Sequence, residues 1–576
     1  MKRSPTAPNT TSAESVRAGR VRCSRAAWLG GLLCIAPVLA TAELLGRAAV
    51  DVPAFDDYDA IVEFLNRWVA ADGPVARARL LFAQHIEHRP AVLRAAAAAT
   101  FTALGHVDLR VLQVFGALGL VLLAGTLLAS FRPGAPLRER LLPFAPAALV
   151  LFHPQFWSAY LWPTCSAPNF FSVAFAAIAF QALCSTSSGS FALAMTAATA
   201  ATFSQGNGIA VLPLGLVELV GPRSRARRRA WVAFSLLLGA TQLAAFERPF
   251  DTWSAGSNLA SPAYVARVLA YVLHLIGGAP SFSQPGLAPV VGAALLASFA
   301  GLLLRGAHRR SPALVALLGF LLMSAGMNAL VRAQQGVATP LLADRYRFYA
   351  CAFLAASWLA WASELTGSRW ERVFVAWGLC TSLAFSVASH ARYRGDLLDF
   401  SRRLAVGYER WWVSGDGGLF YPGFASASRA LLTGFERGVL RVPPAWFAAH
   451  GAVPQESALP EPGRSVHFRL GTLHLDADGL LVDGWAQVGR AGARDPRVSL
   501  ILRSRERTLV VPTHAVPNLA SGAEQGPRAA AGRGFRSLLP RAALPPGDYR
   551  IGVLVERSDG AWMTFHGDRL AVPGGS

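Results

Sequence analysis

The sequence predicts a mainly α-helical membrane protein, in which a polytopic bundle of about 11 spanning helices is followed by a small all-β sandwich. Of the 576 residues, 53% are hydrophobic and only 15% are charged, and the mean hydropathy is +0.37. The apolar residues fall in blocks of about 15 to 24, which suit helices that cross a hydrocarbon core about 30 Å thick. From about residue 464 short alternating runs replace these blocks, and this change of period predicts the sandwich.

Each predicted span is an apolar block bounded by short polar loops. The spans are predicted at about 27–48, 108–130, 141–156, 167–185, 189–203, 207–221, 230–246, 286–304, 312–330, 347–365 and 373–390. The blocks at 189–203 and 207–221 are short, and they can also form a helical pair that does not fully cross. A further apolar stretch at 263–276 carries Arg267 and His274, which favours an interfacial or re-entrant helix.

The distribution of charge predicts the orientation of the chain. The loops predicted on the cytoplasmic side all carry arginine, and they lie at 131–140, 222–229, 305–310 and 366–372. The first segment on the other side, 51–59, is acidic. By the positive-inside rule the N-terminus is cytoplasmic, and about eleven spans place the C-terminal domain in the periplasm. We therefore expect a multi-pass membrane protein. The high Ala and Arg content and the pairing of a helical bundle with a β-sandwich favour the bacterial inner (cytoplasmic) membrane.

The net charge of +20 arises from 54 Lys and Arg residues against 34 Asp and Glu residues. Many of these arginines lie in the loops that set topology, and no compact basic module with interleaved aromatic residues is visible. No nucleic-acid partner is therefore expected.

Composition divides the chain into four parts. Residues 1–26 form a basic cytoplasmic N-terminus. Residues 27–391 form the transmembrane domain, whose first periplasmic loop at 51–107 is predicted to carry amphipathic helices. Residues 392–463 combine aromatic and arginine side chains with a Pro-rich end, which is typical of juxtamembrane helices and a linker. The periplasmic β-sandwich follows at 464–576 and contains none of the six cysteines, so it does not depend on disulfides.

Two adjacent carboxylates follow the first predicted span. Asp56 and Asp57 lie in the first predicted periplasmic loop, where they can supply a general base or a pair of metal ligands. Either can instead cap the helix predicted over 58–70, because an Asp at the N-cap accepts a hydrogen bond from a main-chain N–H group. A divalent metal here is considered but not favoured, so no cofactor is expected.

A second polar group lies later in the same loop. His85, Glu87, His88 and Arg89 crowd one short stretch, and on a helix the spacing of the two histidines places them on one face. They can ligate a metal, pair with one another to shape a polar cavity, or touch substrate. The stretch is not the HExxH motif of a zinc site.

A third group flanks a late loop at the same mouth of the bundle. Arg332, Arg345, Tyr346 and Arg347 lie beside apolar helix. Arginine binds phosphate oxygens bidentately, which suits a lipid phosphate or diphosphate at a membrane boundary. Arginines in this position can also simply extend towards the lipid headgroups.

Three motifs together resemble bacterial polytopic proteins of the GT-C glycosyltransferase superfamily. They are Asp56-Asp57 after the first span, Gln84-His85-Ile86-Glu87-His88-Arg89 in the amphipathic segment, and Asp344-Arg345-Tyr346 before a late span. The resemblance covers about residues 27–390, and it is to uncharacterised bacterial branches of the superfamily. It implies a sugar donor carried on a polyprenyl phosphate or diphosphate, with catalysis that is metal-independent in many members. The chain lacks the WWD motif of oligosaccharyltransferases.

The resemblance also implies roles for individual residues. Asp56 or Asp57 would act as the base or position the acceptor, and the choice between them is open. Arg332 and Arg345 would hold the lipid phosphate, and His85, Glu87, His88 and Arg89 would line the cavity. Tyr346 and Arg347 belong to the same predicted substrate- and phosphate-binding set. The expected function is transfer of a sugar from a polyprenyl-phosphate-linked donor to a cell-surface glycan or lipid acceptor at the periplasmic face. The expected partners are the lipid bilayer, this donor, and a glycan or glycolipid acceptor.

Two other functions compete with transfer. A transporter or flippase of lipid-linked or small solutes would need discontinuous spans in related halves, and no internal repeat is visible. A non-catalytic membrane platform would display the sandwich for binding. The sandwich itself resembles domains appended to bacterial surface-glycan enzymes, through Gly484-Trp485-Ala486, Gly534-Phe535 and Leu544-Pro545-Pro546-Gly547-Asp548-Tyr549. There Trp485 either stacks on a sugar ring or is buried in the core.

Overall fold

The computed structural model describes residues 11–219, 225–244, 246–247, 261–415, 417–456, 459, 466–488, 497–516, 533–557 and 560–573. Within these ranges the chain is mainly helical and ends in two antiparallel sheets, which confirms the predicted mainly helical chain with a C-terminal all-β part. Parts of the predicted basic loop at 222–229 and of the Pro-rich linker lie outside the described residues.

The α-helices follow one another through the first three quarters of the chain. They are α1 (Thr11–Ala48), α2 (Phe64–Ala70), α3 (Gly73–Leu81), α4 (Ala91–Leu104), α5 (Leu109–Ser130), α6 (Leu137–Leu151), α7 (Trp157–Leu161), α8 (Pro163–Leu183), α9 (Ser188–Thr202), α10 (Val211–Glu218), α11 (Arg225–Leu243), α12 (Pro262–Gly278), α13 (Ala288–Leu304), α14 (Ala307–Arg310), α15 (Pro312–Arg332), α16 (Thr339–Leu342), α17 (Arg347–Glu364), α18 (Glu371–Ser414), α19 (Phe424–Glu436) and α20 (Pro444–His450). A π-helix at Tyr58–Glu63 precedes α2, and 3₁₀ turns lie at Pro154–Phe156, Gly206–Ala210, Asp344–Tyr346 and Arg541–Ala543.

Five of the described helices are long and apolar enough to cross a membrane, which indicates a membrane protein. These are Arg25–Ala48 within α1, then α5, α8, α15 and α18. Apolar helices of 10–17 residues also occur at Ala91–Leu104, Gly206–Val217, Pro262–Gly278 and Ala288–Leu304. The other predicted spans fall on α6, α9, α10, α11, α13 and α17. The total of about eleven spans stays a prediction.

The chain forms two compact units. The first unit takes the residues up to Ala49, then Leu81–Leu93 and Leu112–Phe400. The second takes Val50–Leu80, Arg94–Val111 and Ser401–Ser576. Residues of the first predicted loop and of the sandwich thus share one unit.

Within the first unit, α12 and α13 pack against each other as a helical hairpin. A Cβ atom at Gly277 would lie only 1.9 Å from the carbonyl oxygen of Ala288, and one at Gly292 only 2.1 Å from that of Leu273. The absence of side chains at these glycines is therefore what lets the two backbones approach. The stretch predicted as an interfacial or re-entrant helix lies in α12.

The sandwich consists of two antiparallel sheets in the second unit. One has the order β1-β5-β4-β8-β9 and the other β2-β3-β7-β6. The strands are β1 (Gln455–Glu456), β2 (Val466–Leu475), β3 (Gly479–Val488), β4 (Arg497–Arg503), β5 (Thr508–Pro512), β6 (His514–Val516), β7 (Arg533–Pro540), β8 (Gly547–Arg557) and β9 (Gly560–Val572). Alternate residues of the longer strands face the shared core, such as Leu480 and Val482 of β3 and Ile551 and Val553 of β8.

Side chains on the opposite face of β3 include Asp483 and Trp485. Trp485 precedes the core residue Ala486 on β3, so its side chain points to the opposite face of the sheet. It is half-buried there, outside the sandwich core. The predicted role of Trp485 as a buried core residue is therefore wrong. Its other predicted role, stacking on a sugar ring, stays a prediction.

Two tryptophans that follow the last predicted span are buried inside the second unit. Helix α18 continues without a break to Ser414, and Trp411 and Trp412 near its end are fully buried. The guanidinium of Arg536 on β7 lies over both rings, at 4.4 and 4.8 Å from their centroids. These tryptophans therefore pack on the sandwich and do not lie at a lipid surface.

The junction between α1 and the π-helix contains a carboxylate with pH-dependent stability. Asp51 Oδ1 accepts a hydrogen bond of 2.8 Å from Leu109 N. Burial nevertheless raises the pKa of Asp51 from 3.8 to about 6, since desolvation outweighs that hydrogen bond. The folded state therefore binds the proton of the Asp51 carboxyl more tightly than the unfolded state does. This proton binding stabilises the fold fully below the unfolded pKa, and the stabilisation is lost as the pH rises through about 6.

Asp51→Asn is expected to stabilise the protein above neutral pH by up to about 3 kcal/mol and to have little effect near pH 4. Asparagine keeps an acceptor for Leu109 N but never carries the buried charge. The measurement is the melting temperature of both proteins in detergent across this pH range. A difference between them that does not change with pH would contradict the assignment.

Candidate functional site

The structure separates the roles of the two adjacent carboxylates. Asp57 is completely buried, and its Oδ2 accepts a hydrogen bond of 3.0 Å from Ala54 N. Asp56 is half-buried, and its main-chain oxygen accepts a bond of 2.8 Å from Ala60 N at the start of the π-helix. Asp57 therefore holds the turn together, whereas the side chain of Asp56 reaches the surface.

The backbone around Asp56 is unusual on both sides. Phe55 has a left-handed conformation with φ of 50°, which costs a non-glycine residue about 1–3 kcal/mol. The π-helix Tyr58–Glu63 begins two residues after Asp56, and π-helical turns occur frequently at functional sites. The Tyr421 hydroxyl donates a short hydrogen bond to Asp59 Oδ2 beside them. Burial and this carboxylate raise the pKa of Tyr421 to about 12, so the phenol stays protonated.

His85 and His88 lie on a tight turn, so the predicted shared helix face is wrong. His85 N donates to His88 O at 2.7 Å, and His88 N donates back to His85 O at 3.1 Å. The turn forms because Ile86 adopts a left-handed φ of 50°. It still brings the two imidazole rings together, with centroids 5.7 Å apart. Glu87 projects from the tip, with its Oε1 3.9 Å from Arg332 Nη2.

Tyr346 is the centre of a cluster of aromatic and arginine side chains in the first unit. The Arg345 guanidinium lies over the Tyr346 ring at 4.9 Å and over the Trp162 ring at 5.2 Å. The Arg332 guanidinium lies 5.9 Å from the same tyrosine ring. Both arginines are partly exposed. We call Arg332, Arg345, Tyr346 and Trp162 the arginine cluster.

The carboxylate nearest in sequence does not neutralise the arginine cluster. Asp344 is buried, and its two oxygens accept bonds from Ser158 N at 2.7 Å and Ser158 Oγ at 2.8 Å. Burial raises the pKa of Asp344, because desolvation outweighs these bonds and the neighbouring arginines. Asp344 therefore acts on Arg345 only through its charge at longer range, and among the described residues Glu87 Oε1 approaches Arg332 Nη2 at 3.9 Å. The two guanidinium groups are thus loosely paired.

Arg347 and Arg89, the other two arginines predicted to contact substrate, form hydrogen bonds to main-chain carbonyl groups. Arg347 Nη1 donates to Gln155 O at 2.9 Å, and its guanidinium lies over the Tyr393 ring at 4.8 Å. Arg89 donates to Phe82 O and to Ala244 O, both at 2.8 Å. Each therefore satisfies main-chain carbonyls.

An apolar cavity of about 550 Å³ opens beside Arg89. It is lined by Phe82, Arg89, Thr199, Phe203, Phe234, Leu237, Leu238 and Thr241. Both threonines bond within their own helices, to Met195 O and to Leu238 O. The lining thus offers almost no unsatisfied polar group to a ligand.

Three side-chain amides form a hydrogen-bond network around one tyrosine hydroxyl. None of these residues is among the site residues predicted from the sequence. Tyr349 Oη accepts from Asn207 Nδ2 at 2.9 Å and donates to Asn169 Oδ1 at 2.6 Å. Gln205 Nε2 reaches the same Asn169 oxygen at 3.4 Å. Tyr349 is three residues from Tyr346, so one helical turn places the network next to the arginine cluster. The sequence feature that could have indicated this network is the presence of polar residues within or beside apolar blocks.

Within the described residues, no group of three or more His, Cys, Asp or Glu side chains is placed to hold a metal ion. The pairs Asp56–Asp57 and His85–His88 do not gain a further such ligand in this part of the chain. No protein-family model, curated protein or solved structure matches the chain.

Proposed function

We propose that the protein is a membrane glycosyltransferase that uses a polyprenyl-phosphate-linked sugar donor. In this proposal it lies in a bacterial inner membrane with about eleven spans, a cytoplasmic N-terminus and a periplasmic sandwich. It transfers the sugar to a cell-surface glycan or lipid acceptor on the periplasmic face. The arginine cluster is the observation that carries the proposal.

The arginine cluster has the chemistry of a phosphate site. The Trp162 and Tyr346 rings contact the Arg345 guanidinium, which holds its plane in position. A phosphate binds to the N–H edge of such a group, so stacking and anion binding do not compete. Arg332 supplies the second charge, and Glu87 at 3.9 Å is too distant for a strong hydrogen bond to it.

In the proposed reaction an acceptor hydroxyl attacks the anomeric carbon of the donor. The bond from this carbon to the phosphate oxygen breaks, and the lipid phosphate leaves with the electron pair. Arg332 and Arg345 stabilise the charge that develops on the leaving phosphate. The proton of the attacking hydroxyl passes to a carboxylate. The resemblance assigns this role to Asp56 or Asp57, and it suits the partly exposed Asp56 better than the buried Asp57.

Loss of one arginine is expected to weaken binding of a lipid phosphate. Arg345→Gln and Arg332→Gln should each raise the Kd for undecaprenyl phosphate about 10- to 100-fold, because a hydrogen bond to a charged group contributes about 1.5–3 kcal/mol. Binding is measured on the purified protein in neutral nanodiscs. Arg267→Gln is the matched control, since this exposed arginine lies on α12 outside the cluster.

Two controls accompany the binding experiment, one for stability and one for glycan formation in cells. The melting temperatures of the variants must stay near that of the wild type, since Arg345 also packs on two rings. In cells, mass spectrometry of surface glycans and lipid-linked intermediates compares a deletion strain with strains carrying each variant. Unchanged Kd values, or glycans that remain normal when the arginines are replaced, would overturn the proposal.

A further inference from the structure

Three arginines form a row across the outer face of the five-stranded sheet. Arg503 on β4 is the register partner of Arg550 on β8, and Arg550 is the partner of Arg569 on β9. Direct cross-strand partners lie on the same face, with Cβ atoms about 5 Å apart. All three side chains are exposed. We call Arg503, Arg550 and Arg569 the arginine row.

The alternation of the strands shows that the arginine row points away from the sandwich core. The neighbours Leu502 on β4, Tyr549 and Ile551 on β8, and Leu570 on β9 all belong to the core. Residues one step along each strand therefore face outward. The row belongs to the solvent side of the second unit.

This arrangement of like charges is unfavourable by itself. Like charges directly opposite each other on neighbouring strands destabilise a sheet. At the other end of β4 and β8, Arg497 lies opposite Glu556, so that cross-strand pair combines opposite charges. The pair of Arg503 and Arg550 does not. Within the described residues only Asp548 pairs with the row, through Arg569 Nη1 at 2.7 Å. The row thus keeps an excess of positive charge that an anionic ligand would neutralise.

We propose that the arginine row binds an acidic polysaccharide. Guanidinium groups bind carboxylates bidentately. Three of them in line can therefore bind successive carboxylates of a polysaccharide that carries one carboxylate per sugar. The spacing is that of adjacent strands, which is similar in scale to a sugar repeat. The Phe565 ring lies under Arg550, 5.1 Å from its guanidinium carbon, and orients this group.

An acidic polysaccharide fits this face better than an anionic bilayer does. Surfaces that bind bilayers add exposed apolar side chains to their basic residues. Here the apolar residues of the same face, Ile501, Leu554 and Met563, form their own small buried cluster. The face therefore offers mainly charge, with Val510 and Phe565 as partly buried apolar side chains. This binding site does not depend on the proposed transfer reaction.

The test uses the full chain in phosphatidylcholine nanodiscs with fluorescent alginate oligosaccharides as the probe and neutral dextran as the reference. Arg503→Thr/Arg550→Thr/Arg569→Thr should weaken alginate binding by at least about 10-fold and reduce its salt dependence. Arg429→Thr/Arg469→Thr/Arg497→Thr removes the same charge from three other exposed arginines of the second unit and should bind nearly as the wild type does.

Stability provides a second measurement on the same proteins. Arg550→Thr removes the central charge of the row, so its melting temperature should equal or exceed that of the wild type. Equal losses of alginate binding in both triple variants would overturn the proposal in favour of diffuse charge attraction. Binding to phosphatidylglycerol vesicles that depends on the row, without binding to alginate, would overturn it in favour of a membrane contact.

Discussion

Asp56→Asn is expected to lower the rate of sugar transfer by about 10²- to 10⁴-fold, which is the contribution of a general base. The amide has nearly the shape of the carboxylate but cannot accept the proton of the attacking hydroxyl. The fold should be unaffected, because the side chain of Asp56 is partly exposed and its main-chain oxygen still accepts from Ala60 N. The measurement is the rate of transfer in proteoliposomes, at equal protein level.

Asp57 is the matched control for this experiment. Asp57→Ala removes the acceptor of Ala54 N inside a buried turn, so it should lower the free energy of unfolding by about 1–3 kcal/mol. Its effect on rate per folded molecule should be smaller than that of Asp56→Asn. If Asp56→Asn retains normal transfer, the catalytic assignment is wrong. If Asp57→Ala abolishes transfer without loss of stability, the base is Asp57.

Breaking the buried ion pair of the sandwich should have the largest effect on stability. Arg536 Nε donates to Asp483 Oδ2 at 3.0 Å, and the Arg536 side chain is fully buried. Its Nη1 also reaches the main-chain oxygens of Trp411 and Trp412 at 3.3 Å. Asp483→Leu would leave this guanidinium buried with no counter-charge. We expect a loss of about 3–5 kcal/mol in the free energy of unfolding.

The double variant distinguishes the charge from the packing. Arg536→Met alone should also lose about 3–5 kcal/mol, since it leaves the Asp483 carboxylate buried. Asp483→Leu/Arg536→Met buries neither charge and should recover most of that loss. Thermal unfolding in detergent is followed by tryptophan fluorescence, to which Trp411 and Trp412 next to the pair contribute together with the other tryptophans of the chain. Additive losses in the double variant would show that packing, and not charge burial, dominates.

The elements that sequence analysis predicted well are those with a regular period. The apolar blocks at 108–130 and 312–330 coincide with α5 and α15, because a lipid-facing helix must be apolar throughout its length. Alternation from about residue 464 predicted the C-terminal sheets, whose strands β3, β4 and β8 pack in the sandwich core. Strand β6 has only three residues, too few to show a period.

The candidate site was predictable in part. The sequence identified Arg332 and Arg345, which the structure brings to one tyrosine ring. It also placed Arg89 and Arg347 in the substrate-binding set, because they lie in similar polar stretches beside apolar blocks. Only the fold shows that the last two donate to main-chain carbonyls. The same holds for Asp56 and Asp57, whose exposure depends on one turn.

The sequence by itself determined that this protein has membrane-length helices and a C-terminal pair of sheets, because both properties follow from hydrophobic periodicity along the chain. The tertiary structure alone decided the environment of each polar residue. It placed His85 and His88 on a turn, and it buried Trp411 and Trp412 against Arg536. The physical reason is that burial and hydrogen bonding depend on residues far apart in sequence, which no local pattern records.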